Sequence, residues 1–302
     1  MNHPAVPPAA DRVRPEGAAP DVTTLLTLQA AGPDVFRAGA RGAGARRVFG
    51  GQLLGQALVA AGRTVGERRP PHSLHAHFLL GGDATLPLDY HVDRIRDGSA
   101  LSARRVTARQ AGKEIFVLTA SFHDREDGWS HQTPRAHGRD PDTLPPGHET
   151  MAAAGEDDLA WFRGLTKAVP LDLRFDGPLR RVAAVRGESS EPRQRFWFRT
   201  PEELPADPLV HLGATAFASD VLLLSVALAP HARFVGGPGL VFASLDHAVW
   251  FHRAFRADEW LLYEQESPWA GNGRALCRGL VFDHDGELVA SVTQEALIRP
   301  SS

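Results

Sequence analysis

Between Thr215 and Pro230 the chain reads TAFASDVLLLSVALAP, and from Val221 to Leu228 it is apolar almost all round. A surface helix would keep a polar stripe, so this pattern belongs to a helix enclosed in a core. It predicts a buried helix over AFASDVLLLSVALAPHA with Asp220 at its mouth. A carboxylate in that place is either a cap or a reagent; as an N-cap, Ser219 or Asp220 contributes about 1 kcal/mol. A second helix is predicted over VFGGQLLGQALVAAGRTV. Strand-like runs follow each helix: SLHAHFLL and LDYHVDRIRDGSALSARRVTARQAGKEIFVLTASFHD after one, LVFASLDHAVWFH and EWLLYEQESPWAGNGRALCRGLVFDHDGELVASVTQEALIRP after the other. QAGK and HDGE sit between such runs as turn signals, and each reads as a hairpin.

The two segments repeat one pattern. Phe49 matches Phe217, Ser73-Leu74-His75 matches Ser244-Leu245-Asp246, and Gly112 matches Gly286, with an offset that grows by only a few residues. Such self-similarity marks an internal duplication. An all-round apolar helix needs an enclosing sheet to take it out of water. The predicted fold is therefore α+β, a tandem (double) hotdog, each half a long buried helix wrapped by a curled antiparallel sheet. Residues 22–124 form the first hotdog, a scaffold, and 196–302 the second, catalytic one. Residues 125–195 are polar and rich in Pro and Gly, a linker with a short helix in GEDDLAWFRGLTKAV. Residues 1–21 read as a disordered tail with no secretory signal.

Polar residues on inward faces narrow the chemistry. Alternation places Leu288, Ala290, Val292, Gln294, Ala296 and Ile298 on one face of the last strand, so Gln294 is its single polar member. Burying an amide without partners costs roughly 1–3 kcal/mol. The same test on LVFASLDHAVW sets Ser244 with Leu240, Phe242, Ala248 and Trp250, although Asp246 shares that face. Asp220, Ser244 and Gln294 could thus meet at one site.

Composition removes other classes. The chain is 43% hydrophobic and 23% charged with a net charge of -3, which gives no support for nucleic acid or an anionic membrane as partner. No apolar run is long enough to span a membrane. One cysteine, Cys277, excludes an internal disulfide framework, fits a reducing, cytoplasmic setting and reads as a small core residue. His72, His75 and His77 have no cysteine beside them and read as structural or surface histidines, so no metal and no cofactor is expected. The glycines of FGGQLLGQ have the wrong spacing for a phosphate loop, and no G-x-S-x-G elbow is present. Arg94, Arg96, Arg104 and Arg105 could meet phosphates but read as solvated strand residues.

RVFGGQLLGQAL, HSLHAHFLLGGD, RDGSALSARRVTARQAGKEIFVLTASF, ASDVLLL, LDHAVWFHRAF, DEWLLYEQES and DGELVASVTQE, in that order, resemble the type II acyl-CoA thioesterase family. The resemblance covers roughly residues 35–125 and 195–299. It implies hydrolysis of a fatty acyl-CoA to free acid and coenzyme A, with further association of chains. It also implies a water held by an aspartate, a hydroxyl and a glutamine, matched here by Asp220, Ser244 and Gln294. The hydroxyl residue is usually threonine in the family; serine keeps the oxygen and loses the methyl that stiffens χ1. Asp220 would be the general base, with amides at the mouth of its helix stabilising the oxyanion. Alternatives are a non-catalytic acyl-CoA binding protein, or a hotdog hydratase/dehydratase, which needs a histidine that the Asp220 helix lacks. Internal alignment pairs Asp220 with Gln52, Ser244 with Ser73 and Gln294 with Ala120, so one working site per chain is expected.

Overall fold

The computed structural model describes residues 21–40, 47–66, 68–134 and 138–301; the expected tail, Asp21 apart, lies outside them. α1 (Val22–Leu26), β1 (Gln29–Gly32) and β2 (Val35–Ala38) lead into α2 (Gly50–Gly62). β3 (Pro71–Phe78), β4 (Leu88–Asp97), β5 (Leu101–Gln110) and β6 (Lys113–His123) complete the first half. α3 (Gly147–Ala154) and α4 (Glu156–Ala168) connect it to β7 (Asp172–Phe175), α5 (Arg180–Val185) and β8 (Arg193–Arg199). Then come α6 (Pro208–Ser219), α7 (Ser225–Leu228), β9 (Leu240–Ser244) and β10 (Asp246–Phe251). β11 (Leu261–Gly271), β12 (Arg274–Phe282) and β13 (Leu288–Pro300) end the chain.

The strands make one sheet in the order β1-β2-β4-β5-β6-β3-β10-β13-β12-β11-β8-β7, with β9 attached to β13. Read from its centre outward, that order is the same in both directions, which is the duplication expressed as topology. β3 pairs antiparallel with β10 at the junction, Ala248 opposite His75. β7 and the first three residues of β8 precede residue 196, inside the stretch that composition reads as linker. They nevertheless hold the places that β1 and β2 hold in the first half. Short strands in a polar context carry too few apolar positions to stand out.

The sheet curls round α2 and α6. Every residue of α2 from Gly51 to Ala61 is buried. The two helices run antiparallel and touch through glycine: a Cβ on Gly55 would lie 2.7 Å from Gly213 O, and one on Gly51 2.2 Å from Phe217 O. Two glutamines survive inside α2 because their amides are matched; Tyr90 Oη donates to Gln56 Oε1 at 2.6 Å, and Gln52 Nε2 at 3.3 Å. The hairpin at QAGK forms with Ala111 and Gly112 both at positive φ, the two-residue turn that suits the twist of β5 and β6.

Two expectations are corrected. The helix predicted over AFASDVLLLSVALAPHA is two elements: α6 ends at Ser219, Asp220 is its C-cap, and Leu222 turns left-handed at φ 61° before α7 begins. Hydrophobic runs register burial, and here a buried turn is as apolar as a buried helix. The strand predicted through LVFASLDHAVW is likewise two. Ser244 stands opposite Ala296 and Val249 opposite Val292, so the pairing slips by one residue at Leu245. That bulge flips the faces: His247 and Val249 point inward, while Trp250 is 36% exposed.

Candidate active site

Asp220 owes its place to the abrupt end of α6. Groups from β13 and α2 bond it directly, and Gln294 links it to Ser244 of β9. Gln294 of β13 donates through Nε2 to Asp220 Oδ1 at 3.0 Å and to Ser244 Oγ at 2.6 Å. Gly51 N at the start of α2 donates to Asp220 Oδ2 at 3.0 Å. The three residues singled out from sequence are thus one hydrogen-bonded unit. Gln294 is fully buried on the inward face, as alternation predicts, and its Oε1 has no hydrogen-bond partner among the described residues. Because Ser244 accepts from Gln294, its own hydroxyl proton is free for a second partner.

The fourth member, Gly51, belongs to the half read as scaffold. Phe49 is the N-cap of α2 and makes no side-chain cap bond, which leaves the first amides of that helix open. Anions are favoured at such a terminus, and Asp220 fills this one. A Cβ on Gly50 would lie 2.7 Å from Asp220 Oδ2, so the paired glycines make room for the carboxylate. The expected amides at the mouth of the Asp220 helix are therefore those of α2, because Asp220 stands at the carbonyl end of its own helix. A glycine pair starting an apolar helix with no Ser, Thr, Asp or Asn before it was the available signal.

Enclosure among apolar groups pushes the Asp220 carboxyl up to about 7, against the opposing hydrogen bonds from Gln294 and Gly51. Burial has the opposite effect on the neighbouring His247, whose pKa is held down to about 3. His247 Nε2 lies 2.8 Å from Ser219 Oγ, and that hydroxyl in turn donates to Ala216 O at 2.8 Å, so the ring stays neutral and donates. Asp220 and Ser244 open onto a cavity of about 560 Å³. Its walls are mostly apolar: Leu53 and Phe78 from the first half, Leu222, Phe234 and Phe242 from the second, and Trp161 from α4. A helix inside the presumed linker therefore shapes the site.

Other candidates fall elsewhere. Arg94 pairs with Asp34 and Arg105 with Asp93. Arg104 is not solvated: it is 1% exposed and binds Asp97, Thr64 and backbone carbonyls. None of these, nor Arg96, lines the cavity. His72 meets Ser121 Oγ at 2.8 Å and His75 packs edge-on against Trp250. Cys277 is fully buried opposite Gln294, and burial raises its thiol to about 12.

An acid, a hydroxyl and an amide at the mouth of an apolar cavity in a double hotdog define a class that comparison with known proteins makes specific. A family model described as acyl-CoA thioesterase matches residues 170–297, and one described as acyl-CoA thioesterase N-terminal domain matches residues 38–123. Human acyl-coenzyme A thioesterase 8 is 38% identical over 292 residues, covering 92% of this chain and 88% of its own. Acyl-CoA thioesterase 2 of Haemophilus influenzae is 34% identical over 284 residues, covering 91% and 96%. The crystal structure of acyl-CoA thioesterase II TesB2 from Mycobacterium marinum superposes with a TM-score of 0.75 at 40% identity, over 93% of this chain and 99% of that one. A hot dog fold protein from Alicyclobacillus acidocaldarius, 19% identical, is alike in fold with a TM-score of 0.73, over 93% and 98%. The chain belongs to the acyl-CoA thioesterase family, and it is a thioester hydrolase of double hotdog build.

Proposed function

We propose that this chain hydrolyses fatty acyl-CoA to the free acid and coenzyme A, with Asp220 as general base. The observation that carries the reading is the Gln294 amide joining Asp220 and Ser244 at the mouth of an apolar cavity. Water attacks the thioester carbonyl carbon while Asp220 takes its proton; general bases of this kind supply about 10²–10⁴-fold. The tetrahedral intermediate then breaks its carbon–sulfur bond, and the proton on Asp220 goes to the departing thiolate. Ser244 and Gln294 orient the water and the carbonyl, an effect of placement. The N-terminus of α2, which binds Asp220 through Gly51 N, adds positive potential beside the developing oxyanion. No acyl-enzyme is needed. The acyl chain lies along the apolar walls.

A carboxyl lifted to about 7 suits a base working near neutral pH, and the relatives named above are thioesterases rather than binding proteins. The Asp220 helix does carry a histidine, contrary to expectation: His211 of α6, which accepts from Ala257 N; neither it nor His247, engaged by Ser219, is paired with Asp220 as a hydratase would need. The buried, unpaired Cys277 supports a reducing compartment, and we place the protein in the cytoplasm. Release of free thiol from palmitoyl-CoA and decanoyl-CoA, followed with a thiol reagent, tests the reading. Thiol release by the native chain that is lost in Asp220→Asn is the expected result; no release from either substrate overturns it.

A further inference from the structure

Asp220 sits on a turn, and turns at helix ends are held by whatever satisfies the last carbonyls of the helix. Glycine in a left-handed C-terminal turn is the common solution. Here no glycine is present, and Leu222, a side-chain-bearing residue, takes the left-handed conformation at φ 61°. Three side chains from neighbouring strands hold the carbonyls on both sides of Asp220. Tyr263 Oη of β11 donates to Ser219 O at 2.7 Å. Gln265 Nε2, two residues along the same strand face, donates to Val221 O at 2.8 Å. Gln194 Nε2 of β8 reaches Leu222 O at 3.2 Å and Gln265 Oε1 at 2.7 Å, tying the donors together. Tyr263 and Gln265 are buried at 0% and 3% exposure, so these bonds face no competition from bulk water. Gly279 of β12 leaves the space that the Tyr263 ring occupies; a Cβ there would lie 2.2 Å from Tyr263 Cε2.

We propose that Tyr263, Gln265 and Gln194 are positioning residues that fix the 219–222 turn and thereby aim the Asp220 carboxylate at the reacting water. None of them lines the substrate cavity; Tyr263 and Gln265 act through the turn that carries Asp220, and Gln194 also donates to Ser225 Oγ on the cavity wall. The inference rests on Asp220 being the base. Their place on the strands that lie beneath the turn explains why two glutamines and a tyrosine hydroxyl are tolerated in a core. Misplacing a reacting group by about 1 Å can cost on the order of 10²-fold in rate, so partial loosening should be visible without unfolding.

The test is a pair of double-mutant cycles on the full chain. Tyr263→Phe removes one hydroxyl and keeps the ring; Gln265→Met keeps the length and removes the donor. Each is measured alone and combined with Asp220→Asn, with folding checked by circular dichroism and thermal melting. The expected result is a kcat lower by about tenfold with KM within about twofold, and no further loss when the change is added to Asp220→Asn. Gln194→Met, at a half-exposed position, should give the same split if either buried variant fails to fold. An unchanged kcat in a folded variant overturns the proposal. So does an equal loss in both backgrounds, which would mark a general structural role. If Asp220→Asn itself retains the native rate, the base assignment fails first and the positioning role falls with it; the two failures are therefore told apart by the single Asp220 variant.

Discussion

A carboxyl pushed up to about 7 is half ionised near neutrality, and only the ionised half can take a proton from water. The rate should therefore fall as pH drops through about 7, with a single inflection there in kcat/KM; a profile flat from pH 5 to 8 would separate Asp220 from the chemistry. Asp220→Asn should lower kcat by roughly 10²-fold or more. The same group makes a stability prediction of defined sign. Its folded pKa lies above the unfolded value of 3.8, so the proton it binds favours the folded state at low pH, and that contribution is lost as pH rises through about 7. Asp220→Asn has no charge to bury. Its melting temperature relative to the native chain should therefore rise between pH 5 and pH 9, and a constant difference across that range would contradict the burial argument. Ser244→Thr keeps the hydroxyl that receives the Gln294 amide and should stay active, whereas Ser244→Ala removes it and should lose most of the rate.

At the scale of elements, the contact between α2 and α6 is what brings Gly51 to Asp220. Gly51→Ala would place a methyl 2.2 Å from Phe217 O and push the helices apart. Both the melting temperature and kcat should fall, the latter because the amide at Asp220 Oδ2 moves. Gln52→Ala, one residue on, removes a bond to Gln56 inside the core; it should cost about 1–3 kcal/mol of stability and leave kcat largely intact. Element types were largely legible from the chain. Inward Gln294 followed from alternation along β13, and the hairpins from their turn residues. The break after α6 was not legible, because Val221–Leu228 is apolar whether it forms a helix or a buried turn. Nor was the bulge at Leu245, since a one-residue slip leaves no compositional trace while reversing every face beyond it. Trp161 was hidden for another reason: a polar connecting segment says nothing about which of its few aromatics reaches a cavity formed by distant residues.

The whole molecule is a near-symmetric object with an asymmetric purpose. Gly55 and Gly213 face each other where α2 packs on α6, and matching the two helices by their ends gives a correspondence different from that of the aligned sequences. Asp220, the C-cap of α6, then answers to Arg63, the C-cap of α2, rather than to Gln52. α7 and β9, the latter carrying Ser244, have no counterpart among the described residues between α2 and β3, so the element order does not pair Ser244 with Ser73. Ala120 stands in β6, the counterpart of β13 in the sheet order. The helix starts differ as well. α6 is capped by Asp207, which accepts from Leu209 N, and begins with Pro208, which has no amide hydrogen to offer. α2 begins with two glycines and an open amide that binds Asp220. The first half thus keeps an anion-binding helix start for the acid of the second, while the second caps its own and returns nothing. We therefore propose one working site per chain, built from both halves. Asp220→Asn should leave no second activity, and Arg63→Ala, which loses a bond to Leu28 O, should lower stability while sparing kcat. Titrating active sites with a slowly released, tight-binding substrate analogue should return one site per chain. A stoichiometry of two, or a residual rate in Asp220→Asn that Arg63→Ala abolishes, would place chemistry in the first half and end the one-site account.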